Sequence, residues 1–405
     1  MEMAELMKQR LAKRLRGYDF YINAMLENFV SAFNERSTTV YVSGYAFPLE
    51  LLWAFDVVPF DFEIACNNLP EATAGQGSSI MRFAEDAGYN RDICAFDRLI
   101  IGCDIKGMLP KGEIYLTSSY YCHGKAKANE IVAARAGKKS ILFEVPNQIS
   151  HGSIQYVVSQ LKGIAKTLED VAGQKLDMDR LKESIKSSNR ARSSLLKINA
   201  LMKTKPCPWD GARASLLSLG GIFWGSPVQE QIFNLLHKEI TDRVQNKTAL
   251  PENLRVLWFP WVPVQQTNYF DIFKEHQVSI PMVESAYVWW DELDEDHPFE
   301  TLALKALNNY MVGSAQRRAA GLSKIAGEYD VNGAIHFSTP ACYHENGGFR
   351  IISDALKKVN VPVLNLEGDM TDERNYFPEQ AYAKLNTFIE VMQEKAYGPK
   401  DASET

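Results

Sequence analysis

The sequence predicts an α/β fold with two parallel-sheet domains of the Rossmann or flavodoxin type, an N-terminal helix and a helical insertion. Two observations carry this prediction. Short β-branched segments alternate with helical patterns over 37–149 and again over 253–397. Around 113–145 a strand, a helix and a second strand follow one another, which is a βαβ unit and requires parallel strands. The stretch between the two halves, 150–252, has a mainly helical pattern.

The N-terminal segment, 1–36, is predicted to be helical because its apolar residues recur at spacings of three to five. The first α/β domain, 37–149, opens with a β-branched strand at 38–44. Pro48 then suits the first turn of an apolar helix. Glu50, in the same turn, is interpreted as an acid that the helix dipole favours. The other predicted elements of this domain are a strand at 113–118, a helix at 125–136 and a strand at 139–145.

The helical region, 150–252, is interrupted at 205–211, where two prolines and a glycine predict a loop. The second α/β domain, 253–397, repeats the alternation of strands and helices. Its predicted strands are 255–259, 279–284, 333–338 and 361–367, and its predicted helices are 269–276, 298–311, 313–327, 349–358 and 378–395. A frayed tail, 398–405, is expected to follow.

The composition narrows the function classes. The 405 residues include 44 Lys+Arg and 50 Asp+Glu, for a net charge of −6, and 46% are hydrophobic. This chain can bury a real core, but its acidic balance argues against nucleic-acid binding. The longest apolar runs are far shorter than a membrane span requires, and the charged N-terminus does not resemble a signal peptide. We therefore expect a cytoplasmic protein that binds neither nucleic acid nor membrane.

The common catalytic and nucleotide-binding motifs are absent from the sequence. It has no GxGxxG after the first strand and no GxxxxGK[ST], which argues against a dinucleotide-binding or P-loop enzyme. It also has no HExxH and no GxSxG, so zinc proteases and α/β-hydrolases lack support.

The six cysteines carry more information. Cys122 and Cys342 each come just after a predicted strand, one in each half, and loops at that end of a parallel sheet line the functional crevice. Cys94 could join them. Soft thiolate ligands suit an iron–sulfur cluster, Cu(I) or zinc. Because the spacings match no local metal motif, buried thiols that bind nothing remain the alternative.

Several ordered segments carry a family resemblance. They are 67–71, 80–94, 115–122, 205–211, 335–342 and 361–377. Together they resemble the iron–sulfur subunits of 2-hydroxyacyl-CoA dehydratases and benzoyl-CoA reductases. The resemblance implies that Cys94, Cys122 and Cys342 hold a 4Fe-4S cluster in which one iron lacks a cysteine ligand. It also implies an ATP-hydrolysing iron–sulfur reductase as the partner that supplies electrons.

Three further cysteines, Cys66, Cys103 and Cys207, lie in or beside these segments. Six thiols resemble the double-cubane branch of the superfamily, in which two cubanes share a sulfide as an 8Fe-9S cofactor. The chain is therefore expected to be the iron–sulfur catalytic component of an ATP-dependent reductase for small molecules. A homodimer is expected, because six thiols need no second subunit to complete the cofactor.

Two alternatives stay open. One is a 4Fe-4S subunit of a 2-hydroxyacyl-CoA dehydratase or benzoyl-CoA reductase, in which the three extra thiols are unligated. The other is an electron carrier or scaffold with no substrate of its own.

Three polar residues beside the predicted ligands are candidate catalytic groups. His123 follows Cys122, and His344 with Glu345 follows Cys342. Each histidine could donate a hydrogen bond to a sulfide or relay a proton to a substrate. The alternative is that all three are ordinary polar residues of a loop.

Overall fold

The computed structural model describes residues 15–43, 47–67, 75–120, 122–211, 221–263 and 269–398. Two four-stranded sheets form its framework, and every strand pairing within them is parallel. The predicted α/β class with two parallel-sheet domains is therefore confirmed. The predicted domain boundaries follow the same order of elements and stay predictions.

The first sheet has the strand order β2-β1-β3-β4. Its strands are β1 Thr39–Ser43, β2 Val58–Asp61, β3 Ile114–Ser118 and β4 Lys139–Phe143. The described α-helices that precede β4 in the chain are α1 Arg16–Ala32, α2 Phe62–Asn67, α3 Ser78–Asp86, α4 Ala95–Ile105 and α5 His123–Arg135. β3 is buried along its whole length, as expected for an inner parallel strand.

Three long helices separate the two sheets, namely α6 His151–Ala172, α7 Met178–Met202 and α8 Pro227–Gln245. α6 begins with a capping box in which Ser150 and Ser153 satisfy each other's backbone N–H groups. The apolar faces of these helices belong to the largest core cluster, which continues into both sheets. The helical region is thus packed as part of one core.

The second sheet has the order β6-β5-β7-β8. Its strands are β5 Leu254–Phe259, β6 Val278–Val283, β7 Gly333–Ser338 and β8 Val363–Glu367. Its helices are α9 Tyr269–Glu275, α10 Pro298–Leu307, α11 Ala315–Glu328, α12 Tyr343–Gly347, α13 Phe349–Lys358 and α14 Pro378–Tyr397.

The two sheets therefore share one strand order, in which β3 of the first corresponds to β7 of the second. Each of these strands lies beside the first strand of its sheet, where the strand order reverses. Crevices for ligands form at this position, beyond the carboxyl ends of the strands.

Some local features differ from the sequence predictions. β2 was not predicted because it is short and contains Pro59; as an edge strand it tolerates the missing backbone N–H. The predicted apolar helix after Pro48 is a 3₁₀ helix, Leu49–Ala54. Glu50 lies in the first turn of this helix, where it is fully buried and its Oε1 lies 2.5 Å from Lys305 Nζ and 2.6 Å from the donating Ser188 hydroxyl.

Within the described part of the chain, no helix is both long and apolar enough to cross a bilayer.

His336 on β7 gives the fold a dependence on pH. Its ring is buried, stacks on Phe349 and has Nδ1 2.7 Å from Asn365 Oδ1. Burial lowers the pKa of His336 from 6.5 to about 4. The unfolded chain therefore takes up a proton at higher pH than the folded chain does, so the stabilisation is complete above pH 6.5 and is lost as the pH falls towards 4.

We predict that His336→Gln flattens this acid limb of the stability curve. The measurement is urea unfolding at several pH values between about 4 and 7, in which wild type should lose up to about 3 kcal/mol more than the variant. His151→Gln, at an exposed position, is the control and should leave the slope unchanged. An identical slope in wild type and His336→Gln would refute the assignment.

Candidate metal centre

Three cysteines stand directly before three helices. Cys94 precedes α4, Cys122 precedes α5 and Cys342 precedes α12, and each is the N-cap residue of its helix. Cys122 comes four residues after the end of β3, and Cys342 comes four residues after the end of β7. The corresponding strands β3 and β7 are therefore each followed by a cysteine at the same distance, and the first domain also contains Cys94.

The three thiols are neighbours. All are free and partly buried, and the ionisation of Cys94 is opposed by both Cys122 and Cys342, while that of Cys342 is opposed by Cys122. Burial is the largest cause that raises the pKa of each thiol, to about 12 for Cys342. Without a cation, these thiols remain protonated at neutral pH.

The helix N-termini act in the opposite direction. The backbone N–H of Lys125 donates to Cys122 Sγ at 3.5 Å, which lowers the pKa of that thiol. The N–H groups of Phe96 and Glu345 lower the pKa values of Cys94 and Cys342 in the same way. Free N–H groups and the positive end of a helix dipole favour a thiolate. The site can therefore accept negative sulfur once a cation offsets the burial.

A buried charged residue follows each cysteine by three positions. These residues are Asp97, Lys125 and Glu345, and each is at most 5% exposed. In the first domain, Lys125 Nζ lies 3.3 Å from Glu63 Oε2. The Asp97 carboxylate fills the space that a Cβ at Gly124 would need, beside Cys122 Sγ. Burial raises the pKa of Asp97 to about 7, so this carboxyl is partly protonated near neutral pH.

In the second domain, Glu345 takes the position that Lys125 has in the first, and it carries the opposite charge. Glu345 Oε2 lies 2.6 Å from Arg318 Nη2, and Arg318 also binds Glu284 through two donors at 2.6 and 2.8 Å. Glu284 follows β6 and Arg318 belongs to α11. Arg318 thereby ties the short helix after Cys342 to the body of its sheet.

The predicted catalytic residues surround the same thiols. His344 is in edge-to-face contact with Tyr120, with ring centroids 6.1 Å apart, and burial lowers its pKa to about 4. It is therefore neutral at pH 7. His123 is exposed at the start of α5 and influences His344 electrostatically. Glu345, in contrast, is held by Arg318, so its carboxylate anchors the helix.

An ionic clasp, made of Glu85, Arg98, Asp372 and Arg374, joins the two domains beside Cys94. Arg98 donates to Glu85 at 2.5 Å and to Asp372 at 3.0 Å, and Arg374 donates to the same two carboxylates. Arg98 is also in the first turn of α4, where its N–H donates to the carbonyl of Cys94. The clasp thus fixes Cys94 relative to the domain that carries Cys342.

Two of the remaining cysteines form a separate pair. Cys66 on α2 and Cys103 on α4 are buried in an apolar cluster with Tyr41 and Phe60. A hydrogen bond with Cys103 and burial raise the pKa of Cys66. Cys103 comes nine residues after Cys94, which is about 13 Å along a helix. This pair therefore lies towards the opposite end of α4 from the first three thiols.

Cys207 lies apart from the other five. Its thiol donates to the carbonyl of Trp209 at 3.1 Å, and its N–H donates to Glu252 at 2.9 Å. Glu252 precedes β5, so Cys207 is at the amino edge of the second sheet, whereas Cys342 is at the carboxyl edge. A six-residue strand spans about 17 Å between these edges. The structure does not bring the six predicted ligands into one site.

The donor set of Cys94, Cys122 and Cys342 fits an iron–sulfur cluster. Three soft, partly buried thiols lie at three helix N-termini and influence one another electrostatically. In the described ranges, no three His, Cys, Asp or Glu side chains are grouped closely enough to hold a single metal ion. A cluster of several irons spans a wider gap than one ion, so it places a different demand on the spacing of the thiols.

The buried charges Arg318, Glu284, Lys125 and Asp97 were not anticipated from the sequence. A signal for part of them was present, because each of the three cysteines is followed at the third position by a charged residue. The third position of a helix faces the N-cap side chain. Arg318 and Glu284, by contrast, meet only through the tertiary fold.

A protein with two parallel α/β domains and cysteines at the helix N-termini that follow corresponding strands is the class that this fold and site define. Within that class, the chain belongs to the family described as 2-hydroxyglutaryl-CoA dehydratase, D-component, whose model matches residues 45–392. The superfamily predicted from the sequence is thereby confirmed.

Individual relatives agree with this family. One subunit of the benzoyl-CoA reductase of Thauera aromatica is 25% identical over 385 residues, covering 86% of this chain and 87% of that protein. The (R)-phenyllactyl-CoA dehydratase alpha subunit of Clostridium sporogenes is 23% identical, covering 79% and 82%. The alpha subunit of (R)-2-hydroxyglutaryl-CoA dehydratase from Acidaminococcus fermentans is 23% identical, covering 70% and 61%. One reductase subunit and two dehydratase subunits are thus among these relatives.

We predict that Arg98→Met lowers the free energy of unfolding by about 3 kcal/mol. The substitution removes one of the two arginines that pair with the carboxylates of Asp372 and Glu85. Urea unfolding measures this change. Arg350→Met is the matched control, since it breaks an exposed ion pair with Asp354 and should change stability by less than about 1 kcal/mol. Equal losses in the two variants would show that the clasp does not stabilise the domain arrangement.

Proposed function

We propose that the chain is the cluster-bearing catalytic subunit of an enzyme that acts on an acyl-CoA thioester, with one 4Fe-4S cluster on Cys94, Cys122 and Cys342. The observation that carries the proposal is the meeting of these three N-cap thiols from two domains. The family and the acyl-CoA enzymes among the relatives support the substrate class.

A 4Fe-4S cluster bound there would supply one-electron transfer at low potential and an iron without a protein thiolate. The residues of the chain have simpler tasks. The helix N-termini and Lys125 offset negative charge on the sulfurs. The neutral imidazole of His344, beside Tyr120, can hold or pass a proton at the crevice wall. The clasp fixes the two domains relative to each other, and Arg318 fixes the short helix that follows Cys342.

Two further proteins belong to this proposal. An ATP-hydrolysing iron–sulfur reductase would deliver the electrons one at a time. A second acyl-CoA dehydratase or reductase subunit would complete the enzyme, since the relatives are themselves named as single subunits. This differs from the homodimer expected for a six-thiol cofactor. Native mass spectrometry of the chain expressed alone and with a candidate partner subunit distinguishes the two assemblies.

The second candidate is the eight-iron reductase of small molecules. The observation that favours it is the contact between Cys66 and Cys103, two further thiols on elements that lead to the crevice. The observation against it is Cys207, whose hydrogen bonds hold it at the far edge of the second sheet. We therefore prefer the single cluster.

Iron and sulfide counting on anaerobically purified protein tests the choice. We predict about four irons per chain. Cys94→Ser, Cys122→Ser and Cys342→Ser should each lose most of this iron, because each removes one of three ligands. Cys66→Ser, Cys103→Ser and Cys207→Ser are the matched controls and should retain it. A count of about eight irons that falls in the control variants would replace this proposal with the eight-iron candidate.

Turnover separates an enzyme from an electron carrier. We predict that an acyl-CoA thioester is converted only when ATP and the reductase are both present. Comparing electrons consumed with product formed then distinguishes a net reduction from a dehydration, in which the electron is returned. A cluster that is reduced but supports no turnover with any acyl-CoA would favour a carrier.

A further inference from the structure

Arg318 lies at the centre of a buried charge cluster that the proposed function does not use directly. Its side chain is 4% exposed, and those of Glu284 and Glu345 are 0% and 2% exposed. The guanidinium holds Glu284 bidentately at 2.6 and 2.8 Å and reaches Glu345 at 2.6 Å. The paired planar contact fixes Arg318 and Glu284 relative to each other.

The three groups do not balance. One cation faces two carboxylates, so the fully ionised cluster carries one excess negative charge away from solvent. Burial raises the pKa of both Glu284 and Glu345, and Arg318 opposes that rise. Glu345 and His344 also act electrostatically on Glu284. Buried charges keep their influence over several ångströms because water does not screen them.

This cluster reaches the thiols through one short helix. Glu345 is in α12, three residues after Cys342, so its carboxylate and the Cys342 sulfur belong to the same first turn. Burial first, and then Glu345 and Cys122, raise the pKa of Cys342, whereas Arg318 lowers it. Arg318 and Glu345 therefore both act electrostatically on the Cys342 sulfur, and their effects have opposite signs.

We propose that Arg318 and Glu284 are positioning residues that set the reduction potential of the cluster, by fixing Glu345 and the net charge beside Cys342. The inference rests on the proposed function, because it needs a cluster at the three thiols. Net charge near a cluster is one of the main determinants of its potential. Reduction adds one negative charge, so a nearby positive charge favours the reduced state and a nearby negative charge opposes it.

The opposite signs of these charges give a test that a purely structural role would not pass. Arg318→Gln removes a positive charge, and we expect the midpoint potential of the cluster to become more negative. Glu284→Gln removes a negative charge, and we expect the potential to become more positive. The double variant Arg318→Gln/Glu284→Gln restores the original net charge, so its potential should return towards that of wild type.

The measurement is an EPR-monitored redox titration of anaerobically reconstituted protein, with iron content determined for each variant. If Arg318→Gln does not fold, Glu284→Gln and the double variant still define the direction of the shift. A second ion pair in the same domain provides the control. Arg255 and Glu252, 2.8 Å apart and 2% and 5% exposed, lie at the opposite edge of the sheet. Arg255→Gln and Glu252→Gln should leave the potential unchanged.

Shifts in the same direction for Arg318→Gln and Glu284→Gln would overturn the inference, since they would report a general loosening of the site. Equal shifts in the control pair would overturn it too. A wild-type protein that takes up no cluster on reconstitution would instead overturn the proposed function. The two failures are therefore distinguishable in one set of samples.

Discussion

The rest of the structure depends on one constraint at the junction of the two sheets. This constraint is the free-energy cost of removing charged groups from water. The charged groups Asp97, Lys125 and Glu345 are buried, and the three thiols beside them are partly buried. Such groups are tolerated only when each has a partner or a favourable dipole. The helix N-termini, the Lys125–Glu63 pair and Arg318 supply these partners, and the three thiols stay protonated unless a cation is bound.

The same constraint explains why the domains are joined by charges beside the site. The clasp connects Glu85 and Arg98 of the first domain with Asp372 and Arg374 of the second. Bidentate contacts between guanidinium and carboxylate groups are directional. They fix an orientation that apolar packing between two domains would leave less defined.

The sequence predicted most of the framework, because alternating β-branched and helical patterns report local burial directly. It missed β2, whose four residues with Pro59 give too short a pattern. It also placed Cys122 and Cys342 at corresponding strand ends, which depends only on chain order. The sequence could not show whether Cys66, Cys103 and Cys207 lie near the other three thiols. A position in or beside a motif does not reveal which end of a helix or sheet the side chain occupies. Arg318 and Glu284 are 34 residues apart in the chain, and no local pattern links them.

The placement of the thiols on two domains has a consequence for the unfolded chain. Cys122 and Cys342 are separated by 220 residues, so any group bound to both sulfurs is a cross-link that closes a very long loop. By the chain-entropy relation used for disulfides, closing such a loop disfavours the unfolded ensemble by about 5 kcal/mol. Oxidative loss of the group would then remove a tether as well as a redox centre, and proteolysis would follow inactivation.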